Sequence, residues 1–114
     1  MRGGIASTIM KLMCRLPNAV IVLCTPISGR GSSGKLDLNL SGSEGMRKLA
    51  EVVKEVGFKM SIPVIDVFGT DGINGLNRTR YISDSIHPYT IEGNKMVARA
   101  IIGGLKGIEP NIDF

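Results

Sequence analysis

The sequence predicts an α/β fold with parallel strands in layers, and three observations carry the prediction. Amphipathic helical periods and apolar strand runs alternate in the order helix, strand, helix, strand, helix. Ala19 to Cys24 is continuously apolar and rich in β-branched residues, the pattern of a strand covered on both faces, and Ile62 to Phe68 reads as a second buried strand. Two such strands make a poor sheet by themselves, because each leaves an unpaired backbone edge. The expected sheet is therefore incomplete, with further strands supplied from a second chain, a paired copy or a longer parent.

Taken in order, Ile5, Ile9, Leu12, Met13 and Leu16 recur at helical spacing and predict a helix over residues 5–16, ended by Pro17-Asn18. After the first strand, Thr25 to Gly42 is rich in Gly and Ser and predicts a long loop, with an apolar contact at Leu36, Leu38 and Leu40. Ser41 with Glu44 matches a capping box. It opens a helix whose inner face is Met46, Leu49, Val52, Val53 and Val56, with Gly57 as its C-cap. Past the second strand, Gly69 to Ser83 predicts a polar loop with turns at Asp71-Gly72 and Asn74-Gly75. The last helix is expected from Thr90 to Leu105, with Val97, Ile101 and Leu105 on one side and Gly103-Gly104 and Gly107 loosening its end.

At 114 residues the chain is a single domain, with 43% hydrophobic and 21% charged residues in an ordinary globular mix. The net charge of +4 is spread over every segment. The densest basic loop pair, Arg78 and Arg80, has no aromatic stacking platform beside it, so nucleic acid is not an expected partner. Ala19 to Cys24 is too short to span a bilayer. The N-terminus lacks a charged-then-apolar signal pattern, which makes the cytoplasm the default expectation. Cys14 and Cys24 have no metal-ligand spacing and are expected as buried, reduced thiols. No cofactor or metal is implied. Asp71 and Asn74 are read as turn formers rather than cation ligands.

The chemistry concentrates in Ser83-Asp84-Ser85-Ile86-His87-Pro88, which holds the one histidine of the sequence. Histidine is the side chain that titrates near neutrality unperturbed, so His87 is the default general base. Asp84, three residues earlier, is within loop reach of one ring nitrogen, and Pro88 biases His87 toward extended geometry. An ordinary loop histidine beside a turn aspartate would show the same spacing.

This Asp-x-x-His-Pro block, followed by a glycine-containing spacer and an amphipathic C-terminal helix, resembles the last block of the SGNH (GDSL-type) hydrolases. The resemblance implies a three-layer α/β/α flavodoxin-like fold, of which residues 1–114 are the C-terminal part. It makes Asp84 the acid and His87 the base of a Ser-His-Asp triad acting on a small acyl or sugar ester. By the same analogy, Thr25, Pro26 and Ser28 line the rim of the active site. The family's Gly-Asp-Ser nucleophile block, oxyanion glycine and Gly-x-Asn-Asp block are not in this sequence, and no serine here stands in a Gly-x-Ser-x-Gly context. The chain is thus expected to be inactive alone and to need a homo-oligomer or an N-terminal half.

Two other readings follow from the residues. One is a non-catalytic module that assembles with another chain. The other is a nucleotide site, because Gly29-Arg30-Gly31-Ser32-Ser33-Gly34-Lys35 follows a buried strand and matches part of a P-loop. Leu36 stands where magnesium binding requires Ser or Thr, and a flexible loop accounts for the glycines equally well.

Overall fold

The computed structural model of the chain describes residues 2–27, 44–74, 77–81 and 90–111. Along these run α1 (Arg2–Arg15), β1 (Leu23–Cys24), α2 (Glu44–Met60), β2 (Val64–Ile65), α3 (Val67–Thr70), α4 (Arg78–Tyr81) and α5 (Ile91–Ile108). The strands pair in parallel, Leu23 opposite Val64 and Cys24 opposite Ile65. The architecture is mixed α/β on a small parallel sheet, with the expected alternation intact and α3 and α4 added as short helices.

Alternation along a strand sends successive side chains to opposite faces, and each face here meets different helices. Ile21 and Leu23 pack with Ile9 of α1 and with Val56 and Ile62. Val22 packs on the other side with Ile65, Val67 and the α5 residues Val97, Ala100, Ile101 and Leu105. Helices on both faces account for an apolar run without polar alternation.

Both strands are shorter than their apolar runs. β1 pairs only at its end, and Val20 is 78% exposed. Upstream of β2 stands Pro63, whose carbonyl accepts from the Leu23 N–H at 3.0 Å but which has no N–H to return. The expected strand through Phe68 stops at Ile65, because Asp66 caps α3 with its carboxylate accepting from the Gly69 N–H at 3.2 Å.

The helices correct several other expectations. Gly57 is not a C-cap, since α2 runs on to Met60. The helix closes with the Ile62 N–H on the Gly57 carbonyl at 2.9 Å and the Ser61 N–H on the Phe58 carbonyl at 3.4 Å. Ser61, at φ 55°, takes the left-handed position of this Schellman pair. Gly57 is instead a close approach, where a Cβ would collide with Cγ2 of Val64. Gly103, Gly104 and Gly107 do not loosen α5, which continues to Ile108 with Gly104 against the Ile65 side chain. Thr90 is the N-cap of α5, its hydroxyl accepting from the Gly93 N–H at 2.9 Å. On α2 the most buried side chain is Ala50, absent from the expected apolar face because methyl groups carry little weight in a periodicity.

The apolar stripe of α1 departs furthest from expectation. Ile9 is buried and Ile5 partly so, but Leu12 and Met13 are about 40% exposed and Leu16 is 55% exposed. Cys14 and Cys24 are exposed free thiols, not buried ones, because Cys14 lies on the outer side of α1 and Cys24 at the rim of the sheet. The turn at Asp71-Gly72 is as expected: the buried Asp71 carboxylate accepts from the Ile73 N–H at 2.9 Å, and Gly72 has φ +76°. Ser41 and Gly75 lie outside the described residues.

Two substitutions test these close contacts by urea denaturation. Ser61→Gly is expected to stabilise the fold by about 0.5–1 kcal/mol, since glycine enters the left-handed region without a Cβ penalty. Gly57→Ala is expected to destabilise it by about 1–2 kcal/mol although alanine is the better helix former, because the new methyl overpacks against Val64. A stabilised Gly57→Ala protein would contradict that packing.

Candidate functional site

In parallel α/β sheets, sites form beyond the carboxyl ends of the strands, where chain reversals gather polar groups. Here that edge is defined by Thr25, directly after β1, and Asp66, directly after β2. The Thr25 N–H extends the ladder onto the Ile65 carbonyl at 3.0 Å. Its hydroxyl, in a residue only 3% exposed, donates to Oδ1 of Asp66 at 3.0 Å and accepts from the Phe68 N–H at 2.9 Å. Asp66 also accepts the Gly69 N–H, and its backbone carbonyl takes the Thr70 hydroxyl at 2.6 Å. Lys54 of α2 reaches Oδ2 of Asp66 at 3.4 Å, with both side chains substantially in water. An ion pair so exposed contributes less than about 1 kcal/mol.

This network fixes the floor of the edge, and α5 brings a helix end toward it. Gly104 lies against Ile65, while Met96, two turns earlier in α5, reaches Gly72 beyond β2. The helix therefore runs opposite to the strands, and its N-terminal end lies past their carboxyl ends. Thr90 caps that end, and His87 precedes Thr90 by three residues in the sequence. Along α5 and the outer edge of β2 lies a cleft of about 460 Å³ lined by Ile65, Asp66, Thr70, Arg99, Gly103 and Gly104.

Of the residues singled out from sequence, Asp84, His87, Ser28 and the Gly29–Lys35 loop lie outside the described residues. Thr25 stands at the carboxyl end of its strand, with its hydroxyl committed to Asp66 and Phe68. Pro26 is half-buried beside it. Asp71 and Asn74 hold turns. Asn74 and Asn77 exchange bonds, each backbone N–H donating to the other's Oδ1, at 2.8 and 3.3 Å. Among the described residues no group of three His, Cys, Asp or Glu side chains could hold a metal ion. Asp66, the hub of the edge, was not anticipated. Its signal was a lone carboxylate inside the apolar run Val64-Ile65-Asp66-Val67-Phe68.

No protein-family model matches the chain, and no curated protein does. A solved structure is similar to it at 27% sequence identity and a TM-score of 0.72, over 94% of this chain and 52% of that one. The chain thus spans about half the length of the solved structure that it matches.

Thr25→Val keeps the shape of the side chain and removes the hydroxyl, leaving the Phe68 N–H without its acceptor. It is expected to lower stability by about 1–3 kcal/mol, and Thr25→Ser by less than about 1 kcal/mol. Thermal or urea unfolding of the pair checks the point, and equal losses would show that the hydroxyl is not what matters.

Proposed function

We propose that the chain is the acid–base portion of an SGNH-type serine ester hydrolase with a flavodoxin-like sheet, His87 serving as base and Asp84 as its acid partner. The observation that carries the reading is the direction of α5. Its capped N-terminal end, which follows the Asp84–His87 segment in sequence, lies beyond the carboxyl ends of two parallel strands. That is the edge where α/β enzymes hold their catalytic loops. The parallel register and the helices on both faces support the same architecture.

In the mechanism this reading entails, a serine outside the recognisable blocks of this chain attacks the carbonyl carbon of an acyl or sugar ester. His87 takes the hydroxyl proton as the new C–O bond forms, then returns it to the departing alcohol. A water gives its proton to His87 and attacks the acyl-serine. The acid leaves, and the serine recovers its proton from His87. Asp84 holds the imidazole tautomer and stabilises the imidazolium between steps. The oxyanion donors, each worth about 3–4 kcal/mol, come from elsewhere, as the serine does.

A fluorophosphonate probe tests this directly. Alone, the chain is expected to show no labelled serine by intact mass. In a domain completed with a nucleophile-bearing half, a single serine is expected to react. His87→Ala should abolish turnover of a p-nitrophenyl ester, and Asp84→Asn should lower it by about 10⁴-fold. Undiminished turnover in His87→Ala would overturn the assignment.

A further inference from the structure

We infer that the cleft between α5 and the outer edge of β2 binds a small organic carboxylate, its charge held by Arg99 and its body laid on an apolar floor. The inference is independent of the hydrolase reading, since it uses no residue of the Asp84–His87 block. At about 460 Å³ the cleft has the size of a small-molecule site. Val64, Ile65 and Ala100 form its apolar floor, and the last two are buried. The β1 bonds go to the carbonyls of Pro63 and Ile65, so alternation turns the Val64 N–H the other way, toward the cleft.

Two observations point to an occupant. The first is charge. Asp66, the one carboxylate lining the cleft, is already engaged: Oδ1 accepts from Thr25 and Gly69, and Oδ2 faces Lys54 at 3.4 Å. Arg99, on the α5 wall, has no ion pair or hydrogen bond among the described residues. A guanidinium presents paired N–H donors that match the two oxygens of a carboxylate. One cation balances one negative charge, whereas a phosphate dianion would leave charge unpaired over the apolar floor.

The second observation is Gly103. A glycine inside a helix weakens it relative to alanine and has its use where another group approaches the backbone. Gly104 has that reason within the protein, because a Cβ there would collide with the Ile65 side chain. Gly103 has no such neighbour: a Cβ built on it meets nothing within 4 Å, only the open space of the cleft that it lines. Arg99 and Gly103 stand four residues apart on one face of α5, so the charge and the cleared space lie side by side.

The test is a titration of the ¹⁵N-labelled chain with hexanoate, and with inorganic phosphate at the same ionic strength. Hexanoate is expected to shift the Val64, Ala100, Gly103 and Gly104 amide resonances saturably, and phosphate to leave them in place. Arg99→Gln is expected to weaken hexanoate binding at least about tenfold, the loss of one charge-assisted pair, and Arg99→Lys to recover only part of it. Gly103→Leu puts a good helix former into the cleft. It should raise the thermal midpoint and abolish the shifts together, a combination that loss of folding does not produce. An equal response to phosphate would overturn the proposal, since charge alone would then explain binding. So would shifts confined to another surface, or undiminished binding in Arg99→Gln or Gly103→Leu.

Discussion

The bond between the Thr25 hydroxyl and the Asp66 carboxylate holds together a sheet that has little else to hold it. The ladder contains two residue pairs, too few to fix strand position by backbone bonding alone. Thr25 adds one more ladder bond through its N–H and then ties its side chain to the first residue after β2. Because the same hydroxyl accepts from the Phe68 N–H, it also anchors the first turn of α3. A single buried threonine thus sets the register, ends one strand and starts a helix. Asp66 is its necessary partner: with the carboxylate it caps α3, and with the backbone carbonyl it takes Thr70.

From that fixed edge the two cores follow. Parallel pairing in this register sends Leu23 and Val64 to the side of α1 and α2, and Ile65 with Val22 to the side of α5. The two glycines that make the closest approaches sit one on each face, Gly57 under Val64 and Gly104 over Ile65. Small residues at these places let both helices approach the sheet at backbone distance. A shift of one residue in the ladder would turn each β-branched side chain away from its glycine.

How much of this was legible in the sequence depends on which physical term decided each element. Where hydrophobic period decides, as in the order of elements and the inner faces of α2 and α5, the pattern was readable. Where one polar contact decides, it was not. Nothing in Ile62 to Phe68 marks Ile65 as the last strand residue except the carboxylate of Asp66, and its role depends on Thr25, far off in sequence. Ser61 in the left-handed region is similarly set by the closure of α2 and not by a residue preference, so Gly57 drew the capping assignment instead. The amphipathic stripe of α1 was correct as a pattern and misleading as a burial map. Period tells which side chains share a face, not what that face meets. The site is divided in the same way. Thr25 was legible as the end of its strand, Asp66 was not anticipated, and Asp84 and His87 rest on the resemblance of their block and on the helix that follows it.

That helix links fold to chemistry. In the proposed reading the base is only as well placed as the element that follows it in sequence, the first turn of α5. Thr90 closes that turn on the buried Gly93, and Gly104 locks the far end against Ile65, one residue before Asp66. The chain of contacts from Thr25 through Asp66 and Ile65 to α5 makes the direction of the helix a consequence of the sheet edge. Under the hydrolase reading proposed above, the placement of the base is then set by the same rigid path that fixes the sheet edge.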